Sequence, residues 1–353
     1  MYDIINYVQC THEQHLAILN LRNLDVVRKW MVDSTVITED SHFAFVNKLK
    51  EDKGRLFFAV FKDSNLVGTY NLTKIQDGIW ERGIIASPLT QGKGMTQNWE
   101  RIILLRLLFH NVKYLTAKVQ IENARSQSYH KKIGFIETLR DREYIYYKMD
   151  LRMVNEINRD GFVVNQFRFK DFTTLSIEEK KMVLDWRNTE GIRKWMYNKE
   201  EIDLESHIKF IDSLRDRDDR YYWLVTDLNN EYVGVVNVTS VDRDNDRAEL
   251  GLYLNPDTSM MGFYFVRECY YFFFCVLNIG KLYCSVDKDN KSAMLLDEFF
   301  GCRFTEKKII DNGTQKDEYL VSTNLTRSQF EKNYSLTFKD YILFVRNKQK
   351  DNN

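Results

Sequence analysis

Apolar residues recur at Phe43, Val46 and Leu49, and again at Ile208, Ile211 and Leu214, with polar residues between them. This period predicts amphipathic helices over 39–50 and 204–215. The pattern then changes. RLFFAVF (55–61), LVGTYNLT (66–73) and WERGIIAS (80–87) are rich in β-branched and aromatic residues and read as strands. Asp63-Ser64-Asn65 supplies a hairpin turn, and Asn229-Asn230-Glu231 supplies its later counterpart. Beyond a glycine-containing stretch, NWERIILLRLLFHN (98–111) reads as an amphipathic helix, YLTAKVQI (114–121) as a strand and ARSQSYHKKI (124–133) as a helix. A helix pair, a strand meander, a strand-loop-helix step, a strand, a helix and closing strands make an α+β fold.

The same pattern occurs twice. LRNLDVVRKWMVDSTVITEDSHFAFVNKL (21–49) aligns with WRNTEGIRKWMYNKEEIDLESHIKFIDSL (186–214) at a constant offset of 165. The alignment continues with small slips through VGTYNLT (67–73) and VGVVNVT (233–239), ERGIIASP (81–88) and ELGLYLNP (249–256), and the segments opening at Asn123 and Asn290. The expected organisation is therefore one domain over 1–152, a second over 160–330, and a C-terminal tail over 331–353 without a counterpart in the first copy. RMVNEINRDG (152–161) is the polar join.

Composition narrows the function. The 353 residues hold 51 basic and 51 acidic side chains, so no global field attracts nucleic acid, and none is expected as a partner. Five cysteines, unevenly placed and without zinc-type spacing, read as reduced and buried, and no metal is expected. The first residues lack the apolar run of a signal peptide, and YYFFFCVLNIG (270–280) is far too short to cross a bilayer. A cytoplasmic protein without membrane partners is expected.

SPLTQGKGMT (87–96) lies between a strand and a helix, where amides at the helix N-terminus and the helix dipole can hold an anion. It is neither a Walker loop nor a dinucleotide fingerprint, which leaves a pyrophosphate held by backbone amides. Here the chain resembles the GNAT N-acetyltransferases, whose acetyl-CoA loop reads Gln/Arg-x-x-Gly-x-Gly/Ala. Gln91, Gly92, Lys93, Gly94, Met95 and Thr96 are then implied to contact acetyl-CoA, although Thr96 stands where the family pattern has glycine or alanine. Asn123, followed by the helix ending KKIGF (131–135), fits the same pattern, and Asn290 is its counterpart. Both asparagines are expected either on the CoA arm or as caps of the following helix. In the second copy only Gly262 of DTSMMGFYF (257–265) is retained.

Arg-Asn, Trp-Met-Tyr and Ser-His-x-x-Phe-Ile in the second copy further resemble the nucleotide-sugar N-acetyltransferases of pseudaminic acid biosynthesis. That resemblance implies acetylation of the 4-amino group of a UDP-linked 4-amino-4,6-dideoxy sugar. It also implies a substrate surface from Arg22, Trp30, Met31 and His42 in the first copy and Arg187, Trp195, Met196, Tyr197 and His207 in the second. The bland alternatives are core packing for the aromatic residues and histidines, and internal pairing for the arginines.

Acetyl transfer needs a neutral amine, a polarised thioester and a proton for the thiolate. Glu81 and Glu249, at equivalent strand positions, are the candidate bases; the alternative is a strand glutamate paired with a neighbour such as Arg82. His130 occupies the position where the family often places its acid, and Asp297 is its counterpart. Two other readings stay open: a protein or ribosomal N-terminal acetyltransferase, and a tandem scaffold in which one copy is not catalytic.

Overall fold

The computed structural model describes residues 2–90, 92–110, 112–258, 261–311 and 316–351. The chain divides into two compact units, Met1–Ile157 and Asn158–Asn353.

In the first unit, β1 (Tyr2–Asn6) precedes α1 (His12–Asn23), α2 (Asp25–Arg28) and α3 (Glu39–Leu49). Thr11 opens α1 in a capping box with Gln14, and Thr38 accepts from the Ser41 amide to open α3. The strands β2 (Arg55–Lys62), β3 (Asn65–Gln76) and β4 (Gly78–Ala86) form the meander. Asp63 and Ser64 both have positive φ, which matches the twist of a two-residue hairpin turn. Then come α4 (Met95–Leu108), β5 (Val112–Gln120), α5 (Ala124–Lys132), β6 (Ile136–Arg140), β7 (Tyr144–Asp150) and α6 (Val154–Ile157).

The strand order is β1-β2-β3-β4-β5-β7-β6. All pairs are antiparallel except β4 with β5, and these two pair only over Gly78–Glu81 and Val112–Thr116. Beyond Glu81, β4 keeps its partners on β3 alone, so the sheet opens into a cleft.

The second unit repeats the plan: β8 (Phe162–Val164), β9 (Phe167–Asp171), α7 (Ile177–Asn188), α8 (Glu190–Arg193), α9 (Leu204–Ser213), β10 (Tyr221–Asp227), β11 (Tyr232–Asp242) and β12 (Arg247–Leu254). After α10 (Gly262–Tyr271), a π-turn over Phe272–Val276 leads to β13 (Lys281–Asp287), α11 (Lys291–Phe300), β14 (Phe304–Asp311), β15 (Lys316–Ser322) and β16 (Leu325–Thr326). The order is β14-β15-β13-β12-β11-β10-β9-β8, with β16 on β13. Again the parallel pair is short: β12 meets β13 only over Arg247–Leu250 and Lys281–Cys284.

Residues after 326 continue as α12 (Arg327–Tyr334) and α13 (Phe338–Asp351). Phe338 and Tyr341 stack on Phe263, and Tyr341 and Phe344 pack on Phe299, so this stretch covers aromatic surface of the second unit. No helix among the described residues is long and apolar enough to cross a membrane.

Candidate active site

Glu81 stands at the last paired position before β4 and β5 part, and Glu249 one residue before the last pair of β12 and β13. Their surroundings differ. Glu249 is buried, with 9% of its surface exposed. Its Oε1 accepts from the Tyr197 hydroxyl at 2.8 Å and from the Ser285 hydroxyl at 2.6 Å. Tyr197 comes from the loop after α8, and its ring packs edge-on against Tyr319 at 4.6 Å. Lys308 lies over that ring, with Nζ 3.4 Å from the Tyr197 oxygen. Burial and the Glu249 carboxylate hold the Tyr197 phenol protonated. A carboxylate fixed by two hydroxyl donors at the mouth of a cleft is equipped to accept a proton from an amine.

Among the described residues, Glu81 has no such partners. Val32 occupies the position of Tyr197 in the repeat. Arg82 does not pair with Glu81; it points through the opposite face of β4 into the core. There its guanidinium contacts Glu100 on α4, with Nε at 2.8 Å and Nη2 at 2.5 Å from Oε1. Tyr129 donates to Glu100 Oε2 at 2.5 Å.

This buried network also takes in His130. The imidazole is 2% exposed, its Nε2 lies 2.6 Å from Arg82 Nη1, and its Nδ1 lies 2.7 Å from the Ser126 carbonyl. Those partners assign a tautomer with Nδ1–H donating to Ser126 and Nε2 accepting from Arg82. Burial and the Arg82 charge push its pKa down to about 3, so the ring is neutral and its proton is engaged. These are the surroundings of a core histidine, with both ring nitrogens engaged. Asp297, its counterpart, is also buried; it accepts from Tyr270 at 3.0 Å and from the Cys284 thiol at 3.5 Å, and burial raises its pKa to about 6.

The loop before α4 carries left-handed backbone at its two glycines. Gly92 and Gly94 adopt φ of +77° and +69°, and a Cβ at either would meet nothing within 4 Å. Lys93 bends its ammonium back to the Leu89 carbonyl at 3.1 Å. Met95 and Thr96 open α4, and Gly94 offers no side-chain cap. α10 also begins without one, with Gly262 as its first residue. By contrast α1, α3, α5, α7, α9 and α11 all carry side-chain caps. First-turn amides without a side-chain cap are open to an anionic ligand, here as at the short α2 and α8. Gln91 lies outside the described residues.

The remaining candidates sort by physical role. Asn123 and Asn290 cap helices: their side chains accept from the Ser126 amide at 3.0 Å and the Ala293 amide at 3.3 Å. Arg22 and Arg187 clasp their own loops, donating to the carbonyls of Asp33 and Asn198 respectively. Each keeps a buried Nη1 that has no hydrogen-bond partner among the described residues. The adjacent asparagines finish the clasp, Asn23 bonding both backbone groups of Ile37 and Asn188 those of Ile202. The Arg-Asn motif thus shapes the loops that present Trp30-Met31 and Trp195-Met196. Both indoles are half-buried under a neighbouring lysine, Lys29 at 5.0 Å and Lys194 at 4.7 Å.

His42 and His207, expected at the substrate, are buried instead. His42 Nε2 lies 3.0 Å from His15 Nδ1, and burial together with His15 pushes its pKa down to about 4. Burial lowers the pKa of His207 as well. Sequence reasoning missed Ser285 and Glu100; the second had a signal, a glutamate between Trp99 and Ile103 on the buried side of α4.

The acetyltransferase (GNAT) domain family matches residues 9–136 and 171–301. The acetyltransferase PseH of Campylobacter jejuni serotype O:2 is 31% identical over 129 residues, 36% of this chain and 80% of that protein. PseH of serotype O:23/36 is 30% identical over the same lengths. Among solved structures, Campylobacter jejuni N-acetyltransferase PseH in complex with acetyl coenzyme A is 20% identical, spanning 42% of this chain and 99% of that one at a TM-score of 0.34. Spermidine N-acetyltransferase from Vibrio cholerae, in complex with CoA and spermine, is 16% identical over 48% and 99% of the two chains at 0.41. With the domain matched in both halves and over most of its length, the chain belongs to the GNAT acetyltransferases and is a tandem GNAT-family N-acetyltransferase.

Proposed function

We propose that the protein transfers the acetyl group of acetyl-CoA to the amino group of a nucleotide-linked amino-dideoxy sugar destined for bacterial surface glycans or flagellin. The observation that carries this reading is the Glu249 carboxylate, held by Tyr197 and Ser285 beside the Trp195-Met196 loop, in the copy whose Arg-Asn and Trp-Met-Tyr motifs resemble the pseudaminic acid enzymes. Glu249 takes the proton of the sugar ammonium, directly or through water, leaving a neutral nucleophile. Trp195 and Met196 offer an apolar surface suited to a deoxy-sugar C6 methyl.

Acetyl-CoA supplies the activated acyl group as its thioester. In the first unit, Gly92, Lys93, Gly94, Met95 and Thr96 would hold its pyrophosphate through main-chain amides; in the second, Gly262 and the start of α10 would do so. The partition supports unequal copies: the first has the better phosphate loop, the second the better organised base.

The test is acetyl-CoA consumption with a panel of UDP-linked amino sugars, spermidine and free-amine peptides, using wild-type protein, Glu249→Gln and Glu81→Gln. Turnover of a UDP-amino sugar that Glu249→Gln abolishes is expected. A peptide preference would transfer the protein to the N-terminal acetyltransferases, and loss of turnover in Glu81→Gln alone would move catalysis to the first unit.

A further inference from the structure

Two residues beyond each strand glutamate stands a glycine, Gly83 and Gly251, and across the sheet each faces an asparagine, Asn71 on β3 and Asn237 on β11. The carboxamide lies flat over the glycine. A Cβ on Gly251 would come within 2.9 Å of both Nδ2 and Oδ1 of Asn237, and one on Gly83 would overlap the Asn71 carboxamide. Asparagine is a poor strand former, and its amide has two donors and an acceptor to satisfy. Yet neither side chain makes a hydrogen bond among the described residues, and both are half-buried.

Their place in the sheet gives the reason. Alternation puts Val235, Asn237 and Thr239 on one face, opposite Tyr253, Gly251 and Glu249. Val235 belongs to the core beneath α7 and α9, with Tyr253 and Met196 packed against it. Asn237 therefore stands between that core and the carboxylate, diagonal to Glu249, at the roughly 7 Å spacing of such neighbours. The first unit repeats the row with Thr69, Asn71 and Thr73 opposite Ile85, Gly83 and Glu81. The Asn/Gly pair persists in both copies although the hydroxyl donors around the glutamates do not.

We propose that the carboxamides of Asn71 and Asn237 orient the acceptor in their respective units: Oδ1 accepts an N–H of the amine while the glutamate takes its proton, and Nδ2 donates to a hydroxyl or ring oxygen beside it. Being neutral, the amide fixes the amine while favouring its ammonium form far less than a second carboxylate would. Glycine at 83 and 251 leaves the strand bare so that the carboxamide can lie along the cleft. This inference rests on the acceptor lying on the Glu249 face, as in the proposed function.

Asn71→Leu and Asn237→Leu, singly and together, remove the polar groups while keeping the bulk. In the copy that turns over, the KM for the acceptor, probed with a UDP-linked 4-amino-4,6-dideoxy sugar, should rise at least tenfold. The KM for acetyl-CoA and the melting temperature should hold. Gly251→Ala, which pushes Asn237 aside, should give the same split. Asn237→Asp adds a negative charge that favours the ammonium, so the acid limb of the pH-rate profile should move to higher pH. An unchanged acceptor KM in the double leucine variant, with active wild type, overturns the inference alone. Wild-type protein inert toward every amine of the panel would refute the functional reading and take this inference with it.

Discussion

Replacing Tyr197 by phenylalanine isolates one bond at the candidate base. The hydroxyl lies 2.8 Å from Glu249 Oε1, where Ser285 also donates at 2.6 Å. A hydrogen bond to a charged group contributes about 1.5–3 kcal/mol. Tyr197 is 36% exposed, so water can partly replace its hydroxyl and the lower end applies. The expected loss in kcat/KM is therefore about tenfold. The packing with Tyr319 and the contact with Lys308 involve the ring, so the melting temperature should not move. Adding Ser285→Ala strips the second donor, and the double variant should fall about a hundredfold or more, since the carboxylate is then free to turn away. The assay is steady-state acetyl transfer with the acceptor varied at saturating acetyl-CoA. If the double variant stays within twofold of wild type while Glu249→Gln is inactive, the two hydroxyls do not hold the base and the reasoning fails.

Three further outcomes follow from the first unit. Glu100→Gln leaves Arg82 buried without its counter-charge, which costs about 3–5 kcal/mol; at roughly 2–4 °C per kcal/mol the unit's calorimetric transition should drop by about 10 °C, and Arg82→Leu combined with Glu100→Leu should recover much of it. His130 titrates near 6.5 when unfolded and at about 3 when folded, so its stabilisation is present above pH 6.5 and is lost as the pH falls toward 3. Between pH 6.5 and 5 that amounts to about 2 kcal/mol, His42 acts in the same direction, and denaturant melts of His130→Phe should show a flatter acid limb. Valine at both Gly92 and Gly94 forces β-branched residues toward positive φ and should weaken CoA binding more than tenfold, read by titration calorimetry. Wild-type CoA affinity in that double variant would reduce the loop to a turn.

Much of the fold was legible because its signals are local. The turn at Asp63-Ser64, the caps at Asn123 and Asn290, and the helix over Glu39–Leu49 all arise from residues a few positions apart. The glycines before α4 were likewise readable, since positive φ is a property of the residue itself. The site was less so. His130 carries a catalytic-looking identity in sequence, but its chemistry is set by Arg82, 48 positions away, and by loss of water. Tyr197 was expected against the sugar because its loop was; that it reaches Glu249, 52 positions later, depends on how two strands and a clasped loop meet.

The sequence by itself determined the duplication, the α+β order of elements and the family, because repeat spacing, hydrophobic period and cap chemistry are written along the chain. The tertiary structure decided which polar residues share an environment. Arg82 and Glu81 are neighbours in sequence, yet strand alternation sends one into the core with Glu100 and leaves the other at the opening between β4 and β5. Burial and long-range pairing, not residue type, set apart the buried His130 and the hydroxyl-bonded Glu249 from residues of the same kind elsewhere in the chain.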